Sequence, residues 1–373
     1  MKFTISSSEL LKELLSLQRV ISAKTVQPIL ENFLFVLKGN TLEITASDME
    51  TTLRRTISID DVESDGSIAV PAKLLTDSLR EFPDQPLSFE VKTDTSMEIL
   101  WTNGQSQIPY FPASDYPQIP ETPAGASHLD IAAETLLNGI NYTIYATAEE
   151  EFRPVMNGIL FDMEKEGLTL VASDAHKLVC YTTDTVKSEE ESSFILHKKP
   201  AAILKGLLSK SEDTVKISFD KKNAYFEFEG TIMVCRLIEG KYPAYKSVIP
   251  TNNPNVLTID RTSLLNAVRR VAVCSDQATS QIKLRLHDNE LDISAQDLGF
   301  STSAFEKMDC QYEGFELEIG FKASFMIEIL GNLPYNEIEI RFGDAYKAAL
   351  ILPAYEEEDT DKICALIMPI RLN

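Results

Sequence analysis

The sequence predicts an α+β protein built from three tandem copies of one unit, each with a sheet and two helices. Three observations predict this fold. A strand-like segment recurs at nearly constant spacing, apolar helix patterns flank it each time, and proline clusters follow the first and second copies. Such a period over a 373-residue chain is typical of a repeat protein.

The recurring strand has the pattern Leu-x-(Ile or Leu)-x-Ala-x-Asp. It ends at Asp48, Asp174 and Asp297, which are 126 and 123 residues apart. Apolar and polar residues alternate along it, which is the period of a half-buried strand. Because Asp174 belongs to this series, the pattern favours a turn or capping role for it over a catalytic one.

Two helix patterns share the period of the strand. Leucine-rich segments before each strand follow the spacing of an amphipathic helix, and a second apolar helix pattern follows each strand. The predicted helices cover 7–20, 72–81, 132–146, 197–210, 261–273 and 322–331. With proline clusters at 117–123 and 250–254, the predicted units are 1–124, 125–254 and 255–373.

Composition indicates a cytoplasmic protein without cofactor, metal or membrane span. The N-terminal segment has no apolar run of signal-peptide length, and no stretch approaches the ~18 apolar residues of a membrane helix. The five cysteines are far apart and form no CxxC pair, so neither a disulfide framework nor a zinc site is expected.

Charge is unevenly distributed along the chain. The net charge is −22, yet the six predicted helices together carry +6, so the remaining residues carry −28. A basic helical face on an acidic body can attract phosphates without sequence readout. The alternative is a set of solvated helix faces whose lysines serve only solubility.

Motifs for catalysis are missing from the sequence: it has no GxxxxGK(S/T), GxGxxG or HExxH. We therefore expect a binding protein and no enzyme. Two other hypotheses remain at this point: an interaction scaffold with the same repeat that forms no ring and binds no DNA, and an enzyme using Asp174 and His176.

Several motifs resemble the bacterial sliding clamp family, the β subunit of the replicative DNA polymerase III holoenzyme. They are Met1-Lys-Phe-Thr4, Pro28-Ile-Leu30, Ala172-Ser-Asp-Ala-His-Lys-Leu178, Tyr242-Pro-Ala-Tyr245 and Met368-Pro-Ile-Arg-Leu372. The resemblance covers the whole chain. It implies a homodimer whose six units close a ring around duplex DNA, with helices inward, as a processivity factor for DNA replication.

The resemblance also implies a groove for short hydrophobic peptides of DNA polymerase subunits, the clamp loader and repair factors. The matching groove positions are Arg153, Met156, Ser173, His176, Lys177, Leu178, Pro243, Val248, Tyr346, Ala348, Leu366, Ile367, Met368, Pro369, Ile370 and Arg371. The chain departs from the family pattern at Pro154, Val155, Ala175, Lys177 and Asn373, so the preferred peptide stays open.

Two further sets of residues complete the expectation. The residues expected to face double-stranded DNA, through non-specific phosphate contacts, are Lys24, Lys73, Arg80, Lys198, Lys199, Lys205, Lys210, Arg269 and Arg270. By resemblance, Gly104–Ile108 of one chain should pair with Phe300–Phe305 of the other, and Ile108, Val273 and Cys274 should supply apolar contact.

Overall fold

A computed structural model of the chain describes residues 1–22, 25, 27–92, 95–149, 152–188, 190–209, 211–355 and 361–372. The described residues form two compact units. Unit 1 comprises Met1–Glu134 and Ala202–Leu237, and unit 2 comprises Thr135–Ala201 and Ile238–Asn373.

Six α-helices occur in the described chain, each where the apolar spacing predicts one. They are α1 (Ser7–Leu17), α2 (Ala72–Arg80), α3 (Ala133–Thr143), α4 (Lys198–Leu208), α5 (Arg261–Ala272) and α6 (Ala323–Asn332). Capping side chains fix two of the starts, because Ser6 accepts from the Glu9 amide at 3.4 Å and Asp260 from the Ser263 amide at 2.7 Å. The predicted helix 132–146 is shorter, since its last turn becomes the 3₁₀ helix Ile144–Ala146.

Twenty-seven strands occur in the described chain. The first eleven are β1 (Lys2–Ser6), β2 (Asn32–Lys38), β3 (Thr41–Ser47), β4 (Thr51–Ser58), β5 (Asp61–Ser64), β6 (Gly66–Pro71), β7 (Pro86–Val91), β8 (Ser96–Trp101), β9 (Gly104–Pro109), β10 (Phe111–Pro112) and β11 (Ser127–Ala132). The next seven are β12 (Gly158–Glu164), β13 (Gly167–Ser173), β14 (Lys177–Thr183), β15 (Ser192–His197), β16 (Thr214–Phe219), β17 (Asn223–Phe228) and β18 (Thr231–Arg236). The last nine are β19 (Asn255–Asp260), β20 (Gln281–His287), β21 (Glu290–Asp297), β22 (Thr302–Asp309), β23 (Gln311–Glu313), β24 (Leu317–Lys322), β25 (Glu337–Phe342), β26 (Ala349–Pro353) and β27 (Lys362–Ile367).

Each unit contains two antiparallel sheets. Unit 1 has a five-stranded sheet in the order β5-β1-β7-β8-β9 and a nine-stranded sheet in the order β10-β6-β2-β3-β4-β18-β17-β16-β11. Unit 2 has a nine-stranded sheet in the order β15-β12-β13-β14-β27-β26-β25-β19-β23 and a four-stranded sheet in the order β22-β21-β20-β24. The predicted α+β class and its repeated strand, which is β3, β13 and β21, are confirmed.

The nine-stranded sheets are continuous because strands from successive copies of the repeat pair with one another. In unit 1, β4 pairs with β18, with Leu53 opposite Met233. In unit 2, β14 pairs with β27, with Leu178 opposite Leu366. We call these two strand pairs the joints. Both bring together residues far apart in sequence through backbone hydrogen bonds.

The aspartate that ends each repeated strand caps the following turn. Asp48 Oδ1 accepts from the Thr51 amide at 2.7 Å, Asp174 Oδ1 from the Lys177 amide at 2.8 Å, and Asp297 Oδ1 from the Phe300 amide at 3.1 Å. A side-chain carboxylate that accepts backbone N–H groups two or three residues ahead closes an Asx turn. The predicted structural role of Asp174 is therefore confirmed.

The same turn leaves Ala175 with a left-handed backbone, at φ 73°. This conformation costs a residue with a Cβ about 1–2 kcal/mol, and a glycine at this position would avoid that cost.

No membrane-spanning candidate occurs among the described helices, all of which are too short or too polar to cross a bilayer.

We predict that Ala175→Gly stabilises the protein by about 0.5–1 kcal/mol, because relief of the left-handed strain exceeds the extra chain entropy of glycine. Thermal and urea unfolding would measure the change. The matched control is Ala244→Gly, at an exposed alanine with φ −69°. Glycine should destabilise that position, and equal effects of the two substitutions would contradict the assignment of strain to Ala175.

Candidate functional site

An apolar cluster in unit 2 lies on one face of the joint between β14 and β27. Leu178 and Leu366 are directly opposite each other there, and each is less than 5% exposed. Tyr242 and Tyr245, from the segment after β18, pack against the same cluster, as do Ala348 and Leu350. The Tyr245 hydroxyl donates to Asp162 at 2.7 Å, which fixes this segment against β12.

Exposed apolar side chains belong to the segments around this cluster. Tyr346 is 74% exposed, Val248 54% and Met368 39%. Pro243 and Arg153 are also exposed, whereas Met156 and Ser173 are buried. Large apolar side chains left open beside a packed apolar floor can bury the side chains of a ligand. Met368 suits such a surface because its thioether side chain is flexible.

The C-terminal segment is held in place by two backbone hydrogen bonds. The Met368 amide donates to the His176 carbonyl at 2.8 Å, and the Ile370 amide donates to the Gly320 carbonyl at 2.8 Å. Pro369 lies between them and has no N–H, so β27 ends at Ile367 and the chain crosses to β24. A Cβ on Gly320 would lie 2.8 Å from the Ile370 carbonyl oxygen, so this approach requires glycine.

Two predicted groove residues have their side chains on the other face of the sheet. Lys177 and Ile367 are opposite each other, one residue away from the Leu178–Leu366 pair, and side chains alternate along a strand. Lys177 Nζ bonds to Asp174 at 2.7 Å and to Glu328 at 3.0 Å and lies 4.5 Å from the Phe325 ring centroid. The prediction that these two side chains line the groove is corrected, because strand alternation turns them towards α6.

His176 and Arg371 are exposed, as expected for residues at a rim. The His176 ring stacks on Phe325 with 5.8 Å between centroids. The Asp174 carboxylate accepts the His176 and Lys177 amides and the Lys177 ammonium. These contacts give no support to the hypothesis of a catalytic Asp174–His176 pair. Within the described residues, no three His, Cys, Asp or Glu side chains are arranged to hold a metal ion.

Sequence reasoning missed several residues of the apolar cluster. Tyr242, Leu160 and Leu350 are buried in it, and Val155 packs against it. Tyr242 belongs to the quoted motif Tyr-Pro-Ala-Tyr, and Leu160 belongs to the apolar run Ile159–Phe161 of β12. Their convergence could not be read from sequence, because it depends on which strands pair.

The candidate DNA-contacting residues are mostly exposed and on helices. Lys24 and Lys210 lie outside the described residues. Lys73, Lys199, Lys205 and Arg269 are exposed. The other three form ion pairs with carboxylates: Arg80 with Asp77 at 3.0 Å, Lys198 with Glu149 at 2.6 Å, and Arg270 with Glu306. Such exposed pairs are weak and can exchange for phosphate.

Among the strands at the edges of the four described sheets are β9 in unit 1 and β22 in unit 2. Exposed aromatic residues accompany β22, since Phe305 is 66% and Phe300 71% exposed. Val273 is 83% exposed and Cys274 half-buried, but Ile108 is only 4% exposed. The side chain of Ile108 therefore packs within unit 1, and the exposed residues of its strand are Gln105, Gln107 and Pro109. An open, apolar edge is a template for pairing with another strand.

Together, the repeated fold, the open strand edges, the basic helices and the apolar groove define a class of protein that binds other macromolecules. Three family models match consecutive parts of the chain: the N-terminal domain of the DNA polymerase III beta subunit at residues 1–120, its central domain at 130–244 and its C-terminal domain at 246–371. The beta sliding clamps of Pseudomonas putida and Vibrio cholerae are 28% and 27% identical, with full coverage of both chains.

Solved structures agree with these matches. The sliding clamp of Pseudomonas aeruginosa bound to griselimycin is 28% identical, with a TM-score of 0.94 over all of both chains. The clamp of Bacillus subtilis, at 23% identity and a TM-score of 0.93, supports the fold. The chain belongs to the bacterial sliding clamp family, the β subunit of DNA polymerase III. Its function is that of a DNA sliding clamp in DNA replication.

Proposed function

We propose that two copies of the chain close a ring of six units around duplex DNA, with each chain divided into units 1–124, 125–254 and 255–373. In this proposal the basic helices line the inside of the ring. The groove on the compact unit formed by Thr135–Ala201 and Ile238–Asn373 holds short hydrophobic peptides of polymerase subunits, the clamp loader and repair factors. The ring tethers these partners in the cytoplasm and performs no catalysis itself. The observation that carries the proposal is the pair of open strand edges.

The open edges of β9 and β22 are suited to pair with each other in the same way as the strands of the two joints. In each joint, the strand that follows the capped turn of one copy pairs with the third strand after the second helix of the next copy. These pairs are β4 with β18 and β14 with β27. The remaining strands of these two kinds are β22 and β9, which are open. If β22 of one chain pairs with β9 of the other, a four-stranded and a five-stranded sheet become one nine-stranded sheet at each of the two interfaces. Neither β22 nor β9 is then an open edge.

The joints also give the register of this pairing. Thr51 lies opposite Cys235 in the first joint, and Lys177 opposite Ile367 in the second. The matching positions in the open strands are Thr302 and Ile108, counted from the pairings of β21 with β22 and β8 with β9. Thr302 should therefore lie opposite Ile108 of the partner chain, and Phe305 opposite Gln105.

We predict that Phe305→Glu weakens the dimer, because it places a charge where the partner strand must dock. We expect the dissociation constant to rise about tenfold for each of two identical interfaces, or about 100-fold, which is about 2.7 kcal/mol. Sedimentation equilibrium would measure it. Phe315→Glu is the matched control, since Phe315 is 83% exposed and outside both open strands. Dimers of equal affinity for the two variants would contradict the proposed interface.

The DNA proposal is supported by the separation of charge. The six predicted helices carry +6 and the rest of the chain carries −28, so phosphates are attracted to helices and repelled elsewhere. Contacts to phosphate alone give weak and salt-dependent binding, which allows sliding. Retention must then come from topology.

We predict that a clamp closed on nicked circular DNA survives high salt and is lost when the DNA is linearised. Gel filtration of loaded clamp before and after restriction cleavage would test this. The double variant Lys205→Glu/Arg269→Glu should weaken direct DNA binding and lower the salt slope by about 1 for each lost phosphate contact. The control is Lys38→Glu/Lys216→Glu, the same charge change at exposed lysines of β2 and β16. Equal loss from circular and linear DNA in high salt would rule out encirclement.

The peptide proposal is supported by the exposed apolar side chains around the buried Leu178–Leu366 pair. A short extended peptide with two or three large apolar side chains should bind in the micromolar range, or about 7–8 kcal/mol. The exposed Arg153, His176 and Arg371 could hold its polar groups.

We predict that Tyr346→Ala and Met368→Ala each weaken peptide binding about 5–10-fold, because each removes an apolar side chain that becomes buried on binding. Deletion of Met368–Asn373 should abolish binding and leave the dimer intact. Fluorescence anisotropy with a labelled peptide from the polymerase would measure these affinities. Tyr355→Ala is the matched control, since Tyr355 is 73% exposed and Tyr346 74%. Unchanged affinity after the deletion would show that the groove is elsewhere.

A further inference from the structure

A cavity of about 410 Å³ lies in unit 2 near the last turn of α3, the segment after α6 and the first residues of β27. Its polar and aromatic lining is formed by Asn138, Tyr142, Tyr181, Tyr335, Tyr355 and Asp361. The volume lies in the range of small-ligand sites. Because Tyr181 alternates with Leu178 and Cys180 along β14, its ring is on the other face of the sheet from the apolar cluster of the groove.

The floor of the cavity combines aromatic rings with a carboxylate. The Tyr181 hydroxyl donates to Asp361 Oδ2. The Tyr142 and Tyr181 rings are 6.0 Å apart between centroids and inclined by 34°. Burial raises the pKa values of Tyr142, Tyr181 and Tyr335, and the negative charge of Asp361 adds to each rise. The phenols therefore stay neutral, and Asp361 is the only carboxylate among the described lining residues.

No cationic side chain shares this face with Asp361 among the described lining residues. Lys362 also borders the cavity, but it is opposite Thr182, one residue away from the Tyr181–Ile363 pair. Its side chain therefore extends from the other face of the sheet. The cavity is thus acidic and aromatic.

In each of the other two copies of the repeat, an arginine–carboxylate pair joins this position of the strand to the first helix of the copy. Tyr181 is the seventh residue after Asp174, as Arg55 is after Asp48, and Arg55 Nε bonds to Glu13 of α1 at 2.6 Å. In the third copy, whose turn is two residues longer, the strand residue in the matching register is Glu306, four residues after Thr302 as Tyr181 is four after Lys177, and it forms a bidentate pair with Arg270 of α5. In the second copy, Gly139 is at the helix position of Glu13, and a Cβ there would lie 3.0 Å from the Tyr181 ring.

We propose that the cavity binds an alkylguanidinium group, the end of an arginine side chain supplied by a ligand. In the second copy neither Gly139 nor Tyr181 is charged, and the carboxylate beside Tyr181 is that of Asp361 from the third copy, so the guanidinium is left to be supplied. A guanidinium is planar, stacks on aromatic faces and pairs with a carboxylate through two hydrogen bonds. The Asp361 carboxylate, which already accepts the Tyr181 hydroxyl, has further acceptor positions.

Titration of the full-length protein with ethylguanidinium tests the proposal, with the methyl resonances of Ile363 and Leu352 as reporters. We expect a dissociation constant on the order of a few millimolar for this small cation. The neutral isostere ethylurea should shift these resonances by less than one tenth as much at equal concentration. Asp361→Asn should weaken ethylguanidinium binding at least tenfold, and Tyr142→Leu several-fold, because it removes a stacking face.

Asp288→Asn is the matched control for the loss of one negative charge, since the Asp288 side chain is 97% exposed and outside the cavity. It should leave binding unchanged. Equal binding of ethylguanidinium and ethylurea would overturn the proposal, as would equal weakening by Asp361→Asn and Asp288→Asn. If Asp361→Asn unfolds, Tyr142→Leu and the ethylurea comparison still decide the outcome.

Discussion

Backbone pairing between strands of successive copies is the interaction on which the rest of this structure depends. Each joint turns two partial sheets into one of nine strands, with β4 against β18 and β14 against β27. A strand edge left unpaired and buried would lose hydrogen bonds to water without replacement, so the pairing is strongly favoured. The apolar cluster in unit 2 exists because the joint places Leu178 beside Leu366, residues that are distant in sequence.

The need to pair strand edges also explains why the open strands in the first and last copies of the repeat are important. When each copy of the repeat pairs with the next, the first and the last copy each keep one strand without a pairing partner. Here these strands are β9 and β22. A chain that protects such edges with charge alone would carry Lys or Glu in place of the exposed Phe305. Closure by a second copy satisfies both edges and follows the geometry of the internal joints.

Side-chain contacts at matching positions of β4, β14 and β22 differ between the three copies, although the backbone is the same. Arg55 reaches Glu13, Glu306 reaches Arg270, and Tyr181 meets Tyr142 and Asp361. The backbone tolerates this change because strand pairing uses main-chain groups that every side chain leaves available. Function can therefore differ between copies: one joint carries an apolar groove on one face and an acidic cavity on the other.

The sequence by itself determined the repeat, the six helices, the capped turns at Asp48, Asp174 and Asp297, and the separation of charge. These features are local, since apolar spacing and turn chemistry act over a few residues. The tertiary structure alone decided which strands of different copies pair, and hence which side chains share a face. For this reason the sequence prediction included Lys177 and Ile367 in the groove and missed Tyr242 and Leu160. A shift of one residue along a strand moves a side chain to the opposite face, and only the register of the joint fixes that choice.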